Sequence, residues 1–246
     1  MNNTTIFISD LHLSEQTLPL NQLFERSLQQ WQGNIDALYI LGDFFDVWIG
    51  DDDDSDFIRH IKSQLKSFSS VTPVFFIHGN RDFLIGEKFA AETGIQLLTS
   101  PQQINLYEHE YIIMHGDELC TDDIAYQQFR AQSRNPLWQM AVLSKPIEER
   151  RLLAGQIRQM SETRKNNEGK SEISDVTEQA INELMSSHMQ PTLPTLIHGH
   201  THRPAVHESQ LNNQPFKRYV IQDWADNYGG YLAVDTDGVH VHELKL

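Results

Sequence analysis

Leu196-Ile-His-Gly-His-Thr-His-Arg-Pro204 sets the reading of this 246-residue chain. Leu196 and Ile197 belong to a short apolar run stopped by glycine, the pattern of a buried strand entering a tight turn. His198 and His200 flank Gly199 at that turn. Two imidazoles so placed suit a transition-metal site, and the partners they need all stand upstream. Asp10-Leu-His12 follows an apolar stretch at 5–9, and Gly42-Asp43 follows one at 37–41. Gly79-Asn80-Arg81-Asp82 follows 73–77, and His115-Gly116-Asp117 follows 111–114. An open α/β sheet binds ligands at the carboxyl ends of its strands. The scattered groups therefore predict one site for two close divalent ions.

Between these strands, helical periodicity runs around 20–31 and 57–68, so strand and helix alternate and the fold class is α/β. From 121 to about 188 the strand signal stops. An amphipathic pattern covers 146–164 with arginines beside its apolar stripe. Lys165-Asn-Asn-Glu-Gly-Lys170 breaks it, and 173–189 is helical again. Strands return at 194–197, 219–222, 231–235 and 239–244. The expected organisation is a single domain over 1–246 carrying a helical insertion at 122–190.

Bulk properties narrow the function. A formal net charge of −15 disfavours a nucleic-acid binder, which needs a basic face. Cys120 is the only cysteine, so no internal disulfide forms and a reducing cytosol fits. The start, Met1-Asn-Asn-Thr-Thr5, has no basic segment, and no signal peptide is expected. No apolar run approaches the roughly 18 residues that span a bilayer.

Each residue type has a role in such a site. Asp10 and His12, two apart at a strand end, are expected on the same side of an extended backbone. Asp43 offers two oxygens, one for each ion, Asn80 a neutral amide oxygen, and His115, His198 and His200 nitrogens. Two ions about 3.5–4 Å apart activate water at neutral pH and clamp a phosphoryl oxygen. His202, third in its string, is expected outside the ligand set. Asp51-Asp-Asp-Asp54 reads as a solvated loop, and Asp117, Asp122 and Asp123 as acids that orient neighbouring groups.

The ordered set Asp10-x-His12, Gly42-Asp43, Gly79-Asn80-Arg81-Asp82, His115-Gly116 and Gly199-His200-x-His202 resembles the calcineurin-like metallophosphoesterase superfamily. Within it, Leu41-Gly-Asp-Phe-Phe-Asp-Val-Trp-Ile-Gly-Asp-Asp52 and His115-Gly-Asp-Glu-Leu-Cys-Thr-Asp-Asp123 resemble the UDP-2,3-diacylglucosamine diphosphatases of lipid A biosynthesis, as do stretches along nearly the whole chain. The resemblance implies a four-layer α/β/β/α sandwich whose helical insertion caps a lipid substrate. It implies two Mn2+ ions, one held by Asp10, His12 and His200, the other by Asn80, His115 and His198, with Asp43 between them. Asp43, Asn80, Arg81 and His198 are the implied catalytic residues. Asn80, Arg81, Asp123, Ser161 and His198 are implied substrate contacts, and the extra residue after Ser161 leaves Lys165, Asn166, Asn167 and Lys170 all as candidates. The implied reaction is attack of metal-activated water on the α-phosphate of UDP-2,3-diacylglucosamine, giving UMP and 2,3-diacylglucosamine 1-phosphate, lipid X. Peripheral contact with lipid on the cytoplasmic side of the bacterial inner membrane follows, with no nucleic acid and no obligate protein partner.

Arg81 supports a diphosphate on chemical grounds. Many monoesterases of this superfamily carry histidine there, able to protonate a departing alkoxide. A guanidinium gives up no proton but can fork onto phosphate oxygens, which suits a leaving group that is itself a phosphate. Leu137, Met140, Val142, Leu143, Ile147, Leu152, Leu153 and Ile157 are the expected acyl-chain surface. Arginines 150, 151, 158 and 164 would then face phosphate or lipid head groups. A general phosphodiesterase with the same metals, and a non-catalytic module of the same fold, are the competing readings; an intact ligand set opposes the second.

Overall fold

The computed structural model describes residues 4–168, 175–189 and 191–245, the side chains of 160–168 excepted. β1 (Thr5–Ile8), β2 (Ala37–Ile40) and β3 (Val74–Ile77) are short apolar strands because both of their faces are covered. They run parallel with β4 (Gln96–Leu98). β10 (Tyr228–Asp235) adds antiparallel to β1, and β11 (Gly238–Lys245) closes that edge. The sheet order is β11-β10-β1-β2-β3-β4.

A second sheet holds β5 (Gln102–Leu106), β6 (His109–Ile113), β7 (Thr195–His198), β8 (Ala205–Leu211) and β9 (Gln214–Val220), in the order β5-β6-β7-β9-β8. Side-chain alternation along each strand sorts the apolar residues into layers. Phe7 of β1 joins Tyr39, Ile77, Tyr111, Ile113 and Ile197 in a core between the two sheets. Ile6 and Ile8 point the other way, toward α1 (Leu18–Trp31), α2 (Asp56–Ser69) and α3 (Glu87–Thr93). On the outer face of the second sheet, Ile112, Met114 and Leu196 pack against Ala180, Ile181 and Met185 of α7 (Glu178–Ser187). Three cores thus separate four layers in the order α/β/β/α.

The remaining helices are α4 (Ile124–Ser133), α5 (Pro136–Leu143) and α6 (Ile147–Glu168). Of the 122–190 stretch, α7 is a layer of the sandwich. No described helix is long and apolar enough to cross a membrane.

Candidate active site

Every strand that carries a candidate ligand delivers it from its carboxyl end. β1, β2 and β3 lie side by side and release Asp10, Asp43 and Asn80; β6 and β7 are neighbours in the other sheet and release His115 and His200. The backbone at Asp10 and His12 is not extended as the spacing suggested. Asp10 (φ 57°), His12 (49°), Asp43 (51°), His200 (67°) and His202 (53°) all adopt the left-handed conformation. Non-glycine residues rarely do so, and such strain gathers at functional sites. At Gly42 (φ 87°) a Cβ would lie 2.8 Å from His115 Nδ1 and closer still to the backbone of Gly79. Glycine there lets the turns after β2 and β3 close on each other.

Two clusters result. In the first, ligand atoms of Asp10, His12 and His202 lie within 4.8 Å of one another. His202 Nε2 is 3.3 Å from His12 Nε2 and 3.4 Å from Asp10 Oδ1. Asp10 Oδ2 accepts hydrogen bonds from Ser9 Oγ at 2.6 Å and from the His200 N–H at 2.8 Å, while Oδ1 has none. In the second, Asp10, Asp43 and His115 converge. Asn80 Oδ1 lies 3.0 Å from His115 Nε2, and His200 Nδ1 is 3.2 Å from the same nitrogen. His115 Nδ1 is turned onto the Leu41 carbonyl at 2.8 Å, which fixes the ring and aims Nε2 into the cluster.

The electrostatics show what this arrangement lacks. Burial pushes Asp43 up to about 7, with the neighbouring Asp10 and Asp82 carboxylates adding to the effect. Burial also raises Asp10, but His202, His115 and His12 overcome it and hold that carboxyl well below its usual range. Desolvation, followed by the charge of His115, pulls His200 down to about 3. Burial opposes a charged His202, yet the Asp10 and Asp223 carboxylates flanking it lift it to about 10. The neutral imidazoles of His12 and His200, the uncompensated buried Asp43 carboxyl and the orphaned Asp10 oxygen face one space, and with His115 and His202 they are a donor set that fits divalent cations.

His198 and His202 exchange places relative to expectation. His198 is the last residue of β7, so it shares a face with Leu196, on the outer side of the sheet, and not with Ile197 between the sheets. Its Nδ1 engages the Gly199 carbonyl at 2.9 Å and its Nε2 the Arg218 guanidinium at 3.1 Å. Both nitrogens are used, and Arg218 sits on the same outer face one strand away. Once the end of β7 is known, the parity of Ile197 and His198 turns His198 away from the two clusters. Asp223, 3.1 Å from His202 Nδ1, had no such signal.

Arg81 lies beside the clusters: its charge adds to the burial that lowers His12 and partly opposes the rise at Asp43, and its backbone N–H donates to Asp43 Oδ1 at 2.8 Å. Asp123 caps α4, accepting the Tyr126 N–H at 2.9 Å. Asp117 anchors the same helix through Tyr126 Oη and Arg130 Nε. Asp51–54 is a solvated loop only in part: Asp54 is exposed, while Asp51 and Asp52 have structural partners. Asp51 accepts the N–H groups of Gly86 and Phe89 at the start of α3, and Asp52 pairs with Arg150. Arg150 therefore faces Asp52 and the Ile49 carbonyl instead of a head group, and Arg158 contacts Asp46. Val142 belongs to the core, whereas Leu137, Met140, Leu143 and Leu152 are exposed. The side chains of Ser161, Arg164, Lys165, Asn166 and Asn167, and the whole of Lys170, lie outside the described residues.

Residues 4–204 match the model of the calcineurin-like phosphoesterases. A curated UDP-2,3-diacylglucosamine hydrolase of Chromobacterium violaceum is 50% identical over 95% of both chains. The chain belongs to this family. Proteins of the same printed name from Serratia proteamaculans and Marinobacter nauticus are 45% and 44% identical, over 98% and 91% of this chain and 99% and 91% of theirs. Membership makes the chain an enzyme, and the two clusters are groups that could hold metal ions.

Proposed function

We propose that this phosphoesterase hydrolyses UDP-2,3-diacylglucosamine, as its relatives' names state of them, releasing UMP and 2,3-diacylglucosamine 1-phosphate for lipid A biosynthesis. The observation that carries the reading is the convergence of seven donors on one space from five strand ends. In this reading Asp10, His12 and His202 would hold one cation, Asn80, His115 and His200 the other, and Asp43 would be available to both. Mn2+ is the proposed metal, since mixed imidazole, carboxylate and amide donors suit it. Bound there, two such cations neutralise phosphoryl charge and supply activated water near neutral pH.

The chain's own residues account for the rest. Water attacks the α-phosphorus, the bond to the bridging oxygen breaks, and that oxygen leaves on the sugar phosphate. Arg81 steadies the departing phosphate by charge and forked hydrogen bonds without supplying a proton. Asn80 and His200 are the proposed groups that orient the α-phosphate. Asp123, Ser161 and a subset of Lys165, Asn166, Asn167 and Lys170 are proposed contacts to the diphosphate and glucosamine.

We assign α4–α6 the role of a cap for the acyl chains. Leu137 and Met140 are 74% and 66% exposed and Leu143 and Leu152 lie beyond them on α5 and α6, an apolar surface of the kind lipid covers. The enzyme then works as a peripheral protein at the cytoplasmic face of the inner membrane, with its lipid substrate as its only required partner. The deciding assay is UMP release from UDP-2,3-diacylglucosamine with and without Mn2+, against UDP-N-acetylglucosamine. Equal turnover of both substrates would defeat the acyl-chain reading, and turnover by Asp43→Ala would defeat the metal reading.

A further inference from the structure

We infer that Asp223 is a positioning residue for His202, fixing which ring nitrogen presents its lone pair to Asp10 and His12. The inference rests on the ligand assignment proposed above and deepens it. Asp223 lies in the segment between β9 and β10, and that segment is stapled to the site on both sides. The Ile221 N–H donates to the His198 carbonyl at 2.8 Å, and the Trp224 N–H to the Asp10 carbonyl at 3.0 Å. Trp224 itself is buried, with Nε1 donating to the Gly230 carbonyl at 2.9 Å. The backbone that carries Asp223 is therefore tied to the turns after β7 and β1.

The carboxylate is divided between two tasks. Oδ1 accepts from Gln222 Nε2 at 2.9 Å, which leaves Oδ2 for His202 Nδ1 at 3.1 Å. An ionised carboxylate has no proton of its own to donate, so when an ion displaces one proton from His202, the hydrogen that stays is the one on Nδ1. Nε2 is then the nitrogen that meets His12 Nε2 and Asp10 Oδ1, at 3.3 and 3.4 Å. His202 needs such help more than its fellow histidines. Its side chain is 39% exposed, whereas His115 is fully enclosed and already oriented by the Leu41 carbonyl. Among the described residues, Asp223 is the partner that holds His202 Nδ1. Carboxylate–histidine pairs of this kind set ring orientation and tautomer and raise ligand basicity.

The test titrates Mn2+ into the metal-free full-length protein, by calorimetry and by electron paramagnetic resonance, with no turnover involved. Wild type takes up two ions. Asp223→Ala weakens one of the two by about 10- to 100-fold and leaves the other unchanged, so a signal from isolated Mn2+ replaces that of the coupled pair at low loading. Asp223→Asn keeps a carbonyl that accepts from Nδ1–H and recovers most of the affinity. Two full-strength sites in Asp223→Ala, or an Asn variant no better than Ala, overturn the inference. His202→Ala separates it from the reading beneath: this variant loses one ion, and if it retained both, the ligand assignment itself would fall and the inference with it.

Discussion

Asp82 Oδ2 accepts the backbone N–H of Phe44 at 2.7 Å, tying the turn after β3 to the turn after β2. Its other oxygen accepts the Gly79 N–H at 2.8 Å, so one buried carboxylate holds the two loops that present Asp43 and Asn80. Burial raises this carboxyl, and the two N–H donors offset part of that cost. Asp82→Asn keeps one acceptor oxygen and turns an amide NH2 toward a donor, leaving a buried N–H unsatisfied. The expected cost is about 1–3 kcal/mol. Mn2+ affinity at the Asp43–Asn80 cluster should fall in parallel, although neither ligand has been altered. Urea unfolding and metal titration read the two effects, and full stability with full metal uptake would rule the tie out.

Asp52 and Arg150 connect α6 to the sandwich through a pair whose pH dependence follows from its geometry. The Arg150 side chain is 4% exposed and donates to Asp52, the Ile49 carbonyl and the Lys145 carbonyl. The hydrogen bond from Arg150 holds the Asp52 carboxyl below its ordinary 3.8. A depressed folded value means that the stabilisation is present above the unfolded value and lost only as pH falls through the folded one. The difference in melting temperature between wild type and Asp52→Asn should therefore stay constant from pH 8 to about 5, shrink as pH falls past 3.8 and be lost only below the depressed folded value. In an Arg150→Ala background the difference should be absent at every pH; a difference that persisted there would assign Asp52 another partner.

What the sequence made legible was whatever depends on burial and local turn chemistry. β1, β2, β3, β6 and β7 stood out because strands covered on both faces are unbroken apolar runs. β4, β5 and β8 did not. Gln96-Leu-Leu98 is three residues long, and Ala205–Leu211 is exposed along most of its length with no apolar alternation. The ligand turns were legible through their glycines, but the choice among His198, His200 and His202 was not. That choice depends on where β7 ends, and a one-residue difference sends a side chain to the opposite face. The structural partners of Asp51 and Asp52 were hidden for a related reason: the start of α3 and Arg150 are far away in the chain.

Arg81 divides its duties between backbone and side chain, and a substitution can separate them. Its N–H supports Asp43 Oδ1 whatever side chain the residue carries. Arg81→Ala should accordingly keep its metal content and lose turnover by about 100-fold or more, the loss typical of removing a charged donor from a developing phosphate. Arg81→Lys restores the charge without the fork and should recover only part of it. Metal content by elemental analysis beside kcat/KM decides the matter. Ions lost in proportion to activity would make the role structural.

His198 offers the sharpest contrast, because sequence spacing and strand parity disagree about it. If His198 were a ligand, His198→Ala would lose an ion as surely as His202→Ala. The structure instead has its imidazole on the outer face of the second sheet, accepting from Arg218 and packed beside Leu196. Removing it leaves the Arg218 guanidinium buried without that acceptor, at a cost of about 1–3 kcal/mol. His198→Ala should therefore unfold at lower urea and still take up two Mn2+, while His202→Ala should keep more of its stability and take up one. Replacing Arg218 as well, in His198→Ala/Arg218→Leu, removes the stranded charge and should return part of the lost stability. A single bound ion in His198→Ala would restore that histidine to the ligand set and displace His202 from it.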